Sequence, residues 1–497
     1  MPRRPPRSTA LAIALAKRLL AKYRAHYRAR HDTELPVLLV AGTAGKSSTT
    51  LLLKNLFERD GWRVYSGARP AQCLNSVTGL SMVLGEFESD FEGKMALFHK
   101  LWFLLRGWVV YLSKRLDLPQ KSILIYEVGF NEQGESEYFR EVFAPSVAGV
   151  VLTNLTSEHA FGFAEEFDRV EYARYRETIP AYWQQALEDE TLSGRLRNIA
   201  LEQFKLLALT SRYAVPLVIG TIDNGVLTNF NEELHTPKRY TPKVSRTQDF
   251  ILESDGLAMG RELLLPRTFA KNAFILDTVA LHFQISKGVV ASTLTHLEVP
   301  NGRFSLLRGV TGSQIVDSTY NSDPASLEGF LILFEEVVSE FALRQKKRTL
   351  PAPYGAAPKH TLILGEMREL GSEARGAHAR ILERVVALSE AYAEYIEDIF
   401  LVGQEWLELD DEVKKQAEAT RYLRFRKQLF KVFLRAGDIN RLLDLEQVRA
   451  GSWFWLKGSQ NTVFLELVVA HLLADTKDEG RLCRRGQTWD EHRAAYK

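Results

Sequence analysis

The residues best suited to chemistry form the segment Gly42–Thr49, GTAGKSST, which follows an apolar run. Glycines let backbone N–H groups approach a polyphosphate, and a helix beginning here adds partial positive charge. Lys46 can bridge the terminal phosphates, and the hydroxyl of Ser47 or Ser48 can hold Mg²⁺. The segment predicts a phosphate-binding loop, with an ordinary glycine-rich turn as the alternative. The expected phosphate-contacting residues are Gly42, Thr43, Gly45, Lys46, Ser47 and Ser48.

Two further residues with metal-binding side chains lie where strands are predicted to end. Glu127 falls near the end of the apolar segment Ser122–Gly129, and His159 follows the run Val147–Asn154. A carboxylate is costly to bury unless it meets a cation, so Mg²⁺ ligation is natural for Glu127. Beside a phosphate-binding loop, His159 becomes a candidate second metal ligand. A surface-facing glutamate and a hydrogen-bonded loop histidine are the alternatives.

These residues require an α/β framework to position them. The continuous apolar run Pro36–Ala41 is typical of a strand buried on both faces, and the pattern Ser47–Arg59 is helical. A second α/β section begins near Pro300. Because ligands bind at the carboxyl ends of strands in open α/β sheets, the chemistry is expected there. Strand-like runs of the second section are Ser313–Asp317, His360–Gly365, Asp398–Gly403 and Trp453–Lys457.

The composition narrows the class of protein. The chain has 497 residues, 45% hydrophobic and 25% charged, which excludes collagen-like, low-complexity and largely disordered proteins. With 64 Lys and Arg against 62 Asp and Glu, the net charge of +2 does not favour nucleic-acid binding. Cys73 and Cys483 lack metal-ligand spacing and fit a reducing compartment. No apolar run reaches the length of a membrane-spanning helix. We therefore expect a cytoplasmic protein.

Several motifs, taken in order, resemble those of the Mur ligase family, and within it the MurF branch that adds D-alanyl-D-alanine. Gly42–Thr49 is similar to the family's GTxGK loop, and Glu127–Glu135 resembles the branch segment EMGxNxxGE. Asp317–Pro324 is similar to the branch motif DDSYNANP. Further similar segments are Asn75–Gly79, Asn301–Arg303, Leu364–Gly371 with His378, and Lys457–Ser459.

The resemblance implies a fold and an activity. The fold is α/β, with a P-loop-type central ATPase domain on a mostly parallel sheet and a C-terminal Rossmann-like α/β domain. ATP phosphorylates an acceptor carboxylate, an amine attacks the acyl phosphate, and an amide forms in cell-wall peptide synthesis. ATP and Mg²⁺ are the implied cofactors, with an acceptor and an amino acid or dipeptide as partners. We expect the acceptor to be a small molecule or, given the departures described below, a lipid-linked one. The expected domains are 1–36, a basic helical segment, 37–299, the ATPase domain, and 300–497, the ligase domain.

The same resemblance assigns roles to individual residues. Lys46 would offset charge on the transferred phosphoryl group, and Glu127 and His159 would hold the metal together with Ser47. Because Arg303 and Asp317 belong to the C-terminal domain, catalysis should require domain closure. The remaining implied roles are Asn272 for adenine, Arg303 for the terminal phosphate, Asp317 for ribose, and Asn75, Asn321 and Lys457 for the substrates.

Two departures from the family pattern concern the acceptor and the metal. Only about 36 residues precede the first strand, so the usual uridine-nucleotide domain is expected to be missing or reduced to a helix. The family's carbamylated lysine has no counterpart, since no lysine occurs between Ala160 and Gln203. Arg176 takes the best-matching position, and a guanidinium stays protonated and cannot carry a carbamate. A second Mg²⁺ would need another anionic ligand, for which Glu177 is the candidate.

Two unusual segments bear on location. Residues 1–31 carry nine Lys or Arg and no acid, with Leu11, Leu15, Leu19 and Tyr23 expected on one helix side. Residues 91–118 are rich in aromatic side chains interspersed with cations. For residues 1–31 the alternatives are a docked helix and contact with an anionic surface. For residues 91–118 they are a buried helical insertion or dimer contact, and a patch at the inner membrane surface that meets a lipid-linked acceptor.

Two rival functions remain open from the sequence. A folate-polyglutamate-type ligase also lacks the uridine-binding domain, although the segments Glu127–Glu135 and Asp317–Pro324 speak against it. A partner-dependent or non-catalytic ATP-binding subunit would account for the missing lysine. Amine-dependent ATP hydrolysis by the isolated chain separates a ligase from the non-catalytic subunit, and the acceptor separates the two kinds of ligase.

Overall fold

The computed structural model describes most of the chain, in two compact units. Unit 1 comprises Met1–Thr241 and Lys271–Pro300, and unit 2 comprises Pro242–Ala270 and Asn301–Lys497. The described residues are 7–43, 45–69, 74–85, 105–109, 111–112, 116–130, 132–153, 162–179, 181–190, 192–210, 217–220, 244–246, 252–254, 257–258, 270–296, 299–348, 356–368, 370–413, 430–458 and 463–495.

Unit 1 contains a five-stranded, fully parallel sheet with strand order β2-β3-β1-β4-β5. The chain winds to one side of β1 first and to the other side afterwards, so the change of direction falls beside β1. All five residues of β1 are buried, which explains its uninterrupted apolar sequence. The strands are β1 Val37–Ala41, β2 Arg63–Tyr65, β3 Ser122–Glu127, β4 Gly149–Leu152 and β5 Leu217–Gly220.

Helices cover this sheet and supply most of the unit's apolar core. A 3₁₀ helix, Lys205–Leu209, continues directly from the seventh of them. The helices are α1 Arg7–His31, α2 Lys46–Arg59, α3 Val77–Leu84, α4 Ser136–Phe143, α5 Arg169–Tyr175, α6 Ala181–Glu188, α7 Gly194–Phe204, α8 Ala270–His282 and α9 Lys287–Thr295.

The basic helix α1 is docked on unit 1. Leu15, Leu19 and Tyr23 are at most 1% exposed, and the Tyr23 hydroxyl donates to the carbonyl of Leu84, 2.7 Å away. Leu11, predicted on the same side of the helix, is 48% exposed. A spacing of four residues advances about 40° around a helix, so a series of four such positions spreads beyond one buried face.

Unit 2 contains a six-stranded sheet with strand order β13-β12-β11-β14-β10-β9, parallel except for the antiparallel edge strand β9. A separate antiparallel sheet joins β6, β7 and β8. The strands are β6 Val244–Arg246, β7 Leu252–Ser254, β8 Leu257–Ala258, β9 Ser305–Arg308, β10 Gln314–Ser318, β11 His360–Gly365, β12 Ile396–Val402, β13 Phe430–Phe433 and β14 Trp453–Lys457.

Helices pack on both faces of the large sheet of unit 2, against two apolar clusters. The longest begins with Asp323 as N-cap, whose carboxylate accepts from the backbone of Ala325 and Ser326. The helices are α10 Pro324–Lys347, α11 Ala374–Ala391, α12 Gln404–Val413, α13 Ala436–Leu442, α14 Glu466–Leu472 and α15 Gln487–Ala495.

Candidate functional site

The glycine-rich segment forms a loop between β1 and α2. Gly42 has a φ of 124° and Gly45 a φ of 82°, values that L side chains rarely adopt. The loop therefore needs glycine at both positions, and α2 begins directly afterwards at Lys46. Ser47 is buried and Ser48 is half-buried. The Lys46 ammonium donates to the carbonyl of Thr43, 2.8 Å away, so its charge lies over the loop.

Glu127 lies at the carboxyl end of β3, beside this loop. It pairs in register with Val40 of the neighbouring strand β1. The side chain is 2% exposed, and its Oε2 has no hydrogen-bond partner among the described residues. Among the described residues, Oε1 receives one long hydrogen bond, of 3.4 Å, from the amide of Asn75. A buried carboxylate with an unsatisfied oxygen is a natural ligand for a cation.

Asn75 and Asn272 also lie close to these elements. A Cβ on Gly129 would lie 2.9 Å from the Asn75 Nδ2, so glycine there lets the amide approach the chain just after Glu127. Asn272, on α8, accepts a 3.0 Å hydrogen bond from the Thr49 hydroxyl of α2. The structure thus brings the loop, Asn75, Glu127 and Asn272 together in unit 1.

His159 lies outside the described residues. Two other residues predicted for unit 1 are on the surface. Arg176 is exposed, with its Nε 3.4 Å from the Glu188 carboxylate, and Glu177 is exposed as well.

In unit 2, Asp317 is fully buried on β10. Its Oδ1 accepts from the backbone N–H and the hydroxyl of Thr319, at 3.0 and 2.7 Å. Burial raises the pKa of Asp317 from 3.8 to about 6, although the Thr319 hydrogen bonds act in the opposite direction. Oδ2 is buried without a hydrogen-bond partner among the described residues. One carboxylate oxygen of Asp317 therefore holds the turn to Thr319, and the other is unsatisfied among the described residues.

Two predicted substrate residues meet at the same edge of this sheet. Lys457, at the end of β14, pairs in register with Ser318 of β10. Its ammonium donates to the carbonyl of Asn321, and Gly458 packs against Thr319 closely enough to leave no room for a Cβ. The Arg303 guanidinium lies 4.5 Å from the centre of the Tyr320 ring, in the same region of unit 2. The structure therefore places four predicted residues close together in unit 2, namely Arg303, Asp317, Asn321 and Lys457.

Sequence reasoning missed Arg484, which is 4% exposed. Its guanidinium donates to the carbonyls of Thr319, at 2.9 Å, and Tyr320, and it lies 3.5 Å from the Glu466 carboxylate. Arg484 therefore fixes the loop that follows Asp317. The only signal in the sequence is an arginine near the C-terminus in a segment rich in cations, which does not distinguish a buried residue from a surface one.

The motif around Glu366 and His378 has a structural role in the described contacts. Glu366 accepts from the backbone N–H of Glu405 at 3.1 Å, near the start of α12, and pairs with Arg368 at 3.0 Å. His378 accepts from the backbone N–H of Met367 at 2.9 Å. These contacts hold the connection between β11 and α11, so the described contacts of this motif are those of a strand-to-helix connection.

Comparisons with known proteins identify the fold. No protein-family profile matches the chain, and no curated protein matches it in sequence. A MurF crystal structure from Acinetobacter baumannii matches with a TM-score of 0.55 and 15% identity, over 93% of this chain and 81% of that one. MurF from Thermotoga maritima, in complex with ADP, matches with a TM-score of 0.51 and 15% identity, over 94% and 84%.

A third similar structure is the UDP-N-acetylmuramoylalanyl-D-glutamyl-2,6-diaminopimelate–D-alanyl-D-alanyl ligase of Acinetobacter baumannii. Its TM-score is 0.53 at 16% identity, over 93% of this chain and 79% of that one. The three matches show that the chain has the fold of MurF structures. The α/β class predicted from the sequence is confirmed.

Proposed function

We propose that the protein is an ATP-dependent amide ligase that activates an acceptor carboxylate as an acyl phosphate for attack by an amino acid or dipeptide amine. The observation that carries this proposal is the buried Glu127 carboxylate, with one unsatisfied oxygen, beside a glycine-rich loop that opens a helix. Such a loop binds phosphate groups, and an unsatisfied acid beside it suits the cation that accompanies a nucleotide.

The residues of the loop are suited to phosphoryl transfer. The backbone N–H groups at the start of α2 and the Lys46 ammonium place positive charge where the terminal phosphates would lie. The exchange of atoms follows from the chemistry. A carboxylate oxygen attacks the γ-phosphorus and ADP leaves; the amine then attacks the acyl carbon and releases phosphate.

Glu127 and the Ser47 hydroxyl fit a divalent cation, because they offer oxygen ligands, and His159 is the third proposed ligand. Mg²⁺ bound there would supply positive charge against the transferred phosphoryl group. Asn272 is proposed to contact adenine, since the Thr49 hydroxyl already ties its amide to the start of α2. In unit 2, Arg303 and Asp317 are proposed to bind nucleotide, and Asn321 and Lys457, with Asn75 of unit 1, the substrates.

A screen of acceptors and amines tests the function. Nucleotide-linked and lipid-linked peptidoglycan precursors are incubated with ATP, Mg²⁺ and candidate amino acids or dipeptides, and products are identified by mass spectrometry. A ligase yields ADP, phosphate and an amide only when both substrates are present. Nucleotide binding without turnover by any pair would favour a non-catalytic ATP-binding subunit, and glutamylation of folates would favour a folate-type ligase.

We also propose that the protein works in the cytoplasm at an anionic membrane surface, where a lipid-linked acceptor would be presented. Residues 105–109 and 111–112 are helical. Leu105, Val109 and Leu112, at i, i+4 and i+7 spacing, are 60%, 56% and 77% exposed. An exposed apolar face beside cations is suited to a membrane interface. None of the described helices combines the length and apolar character needed to cross a membrane.

The opposite face of this segment packs on α1. Gly107 lies against Leu15, and the Trp108 ring lies 4.7 Å from the Arg18 guanidinium. The Lys22 ammonium donates to the carbonyl of Tyr111 at 2.6 Å. These contacts favour packing for the described part of 91–118, while residues 91–104, 110 and 113–115 lie outside the described residues. The contacts with α1 therefore leave Leu105, Val109 and Leu112 exposed on the other face of the segment.

Flotation with vesicles that contain anionic phospholipid tests this surface. The doubly substituted variant Val109→Ser/Leu112→Ser should lose most of the vesicle binding of the wild type. Leu442→Ser, which changes a similarly exposed leucine in unit 2, is the matched control and should bind like the wild type. Equal binding by all three proteins would contradict the proposal.

A further inference from the structure

We propose that Gln203 is a positioning residue for the phosphate loop, and that it acts within a brace formed by residues 202–205 behind the unit 1 site. The proposal rests on the nucleotide-binding function proposed above, because it concerns how the loop is held ready for phosphate. Gln203 lies near the end of α7, outside every motif that the sequence revealed. Its side chain is 3% exposed.

The Gln203 side chain fixes the first residue of the loop. Its Oε1 accepts the backbone N–H of Gly42 at 2.9 Å. Gly42 has a φ of 124°, so its backbone follows a path that needs support from its surroundings. Thr153, just after β4, holds the preceding residue, because its N–H and hydroxyl both donate to the Ala41 carbonyl, at 2.9 and 3.2 Å. The entry of the loop is therefore clamped on both sides.

The adjacent residue Glu202 holds the second loop of the site. Its Oε2 accepts from the backbone N–H of Ser136 at 3.1 Å and from the Ser136 hydroxyl. Ser136 is the first residue of α4 and ends the connection that follows Glu127. Two consecutive residues of one helix thus hold the connections that leave β1 and β3. The pairing of Glu127 with Val40 sets the carboxylate beside the loop, and this helix end supports the two connections that follow the strands.

Lys205 keeps the brace in place. Its ammonium is 1% exposed and lies 2.8 Å from Glu202, 2.9 Å from Glu171 and 3.2 Å from Glu137. Burial acts to lower the pKa of Lys205, but the surrounding carboxylates, led by Glu202, outweigh it and raise the pKa. The lysine stays a cation and fixes the Glu202 side chain. A rigid support of this kind holds the loop N–H groups in place before the ligand arrives.

Replacement of Gln203 by an apolar side chain of similar length tests the proposal. In Gln203→Met the Gly42 N–H loses its acceptor, so the loop gains alternative conformations that bind phosphate poorly. A hydrogen bond of this kind is typically worth about a factor of ten in an equilibrium constant. We therefore expect the Kd for ADP, measured by calorimetry with Mg²⁺, to rise about tenfold. The KM for ATP should rise by a similar factor, with a smaller change in kcat.

Ser122→Ala is the matched control. Ser122 is also fully buried in unit 1, and its hydroxyl donates one 2.7 Å hydrogen bond to the Pro119 carbonyl, at the opposite end of β3 from Glu127. The control should lower the thermal midpoint as Gln203→Met does, yet leave the Kd for ADP unchanged. If Gln203→Met does not fold, Gln203→Asn, one methylene shorter, carries the same expectation.

The outcomes separate this inference from the proposed function. If Gln203→Met and Ser122→Ala both bind ADP as tightly as the wild type does, Gln203 has only a structural role and the inference is wrong. If Ser122→Ala weakens ADP binding as much as Gln203→Met, the effect reflects lost stability and the inference is again wrong. If the wild type itself binds no nucleotide, the proposed function fails first.

Discussion

Glu127 of unit 1 and Glu366 of unit 2 occupy similar places and have opposite surroundings. Glu127 ends β3, and Glu366 directly follows β11, so both lie at the carboxyl end of an interior strand of a parallel array. Both are 2% exposed. Glu366 has partners on both oxygens, whereas the Glu127 Oε2 has none among the described residues. The two glutamates follow similar strand patterns in the sequence, yet they differ in whether both carboxylate oxygens have hydrogen-bond partners among the described residues.

The difference shows how a ligand-binding acid can be told from a structural one. Burial of a carboxylate costs free energy, and either hydrogen-bond donors of the protein or a bound ligand must offset that cost. At Glu366 the donors are the backbone N–H of Glu405 and the Arg368 guanidinium. Within the described part of the chain, Glu127 has one long hydrogen bond, from Asn75, so we infer that a cation completes its surroundings. Substitutions in the two regions should therefore separate loss of activity from loss of stability.

The largest expected effect follows the loss of the phosphate-loop lysine. Lys46→Ala removes the cation that would offset charge on the terminal phosphates, so ATP turnover should fall about 1,000-fold or more. The circular dichroism spectrum and the thermal midpoint should stay close to those of the wild type, because Lys46 is only half-buried. Undiminished turnover would remove the basis for the phosphate-loop assignment.

Glu127→Gln should reduce turnover about 100-fold, since a neutral amide is a poor ligand for Mg²⁺. The Mg²⁺ concentration that gives half-maximal rate should rise in the same assay. Stability should not fall, because the substitution removes a buried charge that the protein's own groups leave unsatisfied. A variant with normal Mg²⁺ dependence would show that Glu127 resembles Glu366 after all.

Glu366→Ala should show the reverse behaviour. It leaves the backbone N–H of Glu405 and the Arg368 guanidinium without their acceptor, so the free energy of unfolding should fall by about 3 kcal/mol. Urea denaturation measures this loss. The Kd for ADP should remain within about twofold of the wild type. A large change in nucleotide affinity at unchanged stability would give Glu366 a ligand-binding role.

Asp317 lies between these two extremes, with one oxygen bonded and one unsatisfied. Burial raises its pKa to about 6 from 3.8, so the folded state binds this proton more tightly than the unfolded state. The resulting stabilisation is fully present below about pH 4 and is lost as the pH rises through 6. Asp317→Asn should abolish this loss, which amounts to at most about 3 kcal/mol. Unfolding of both proteins between pH 4 and 7 measures the difference.

Parallel pH profiles of the wild type and Asp317→Asn would show that this carboxyl keeps an ordinary pKa. Comparison with the variant is necessary because other buried groups titrate as well. Burial lowers the pKa of His360 to about 3 and raises that of Glu466.

Much of the fold was predictable because strongly apolar runs have few alternatives. Val37–Ala41 and His360–Gly365 are strands in the structure, as continuous apolar runs flanked by glycine predicted. The conformation of the loop after β1 was predictable because Gly42 and Gly45 have positive φ values, which few other residues tolerate.

The supporting residues could not be predicted from one sequence. Gln203 and Arg484 act through a side chain that reaches a backbone group more than 160 positions away. Neither has a characteristic neighbourhood in the sequence, and a helical glutamine or a C-terminal arginine is ordinarily a surface residue. Likewise, only the folded geometry distinguishes the unsatisfied Glu127 from the satisfied Glu366, because hydrogen-bond partners are set by tertiary structure.

The fate of the acceptor's carboxylate oxygens tests the central claim most directly. The acceptor and amine identified by the screen are supplied with ATP and Mg²⁺, with both carboxylate oxygens labelled as ¹⁸O. Attack of the carboxylate on the γ-phosphorus transfers one labelled oxygen, so each released phosphate should carry one ¹⁸O and the amide should keep the other. Phosphate without label, formed at the same rate with or without the amine, would contradict an amide ligase that works through an acyl phosphate.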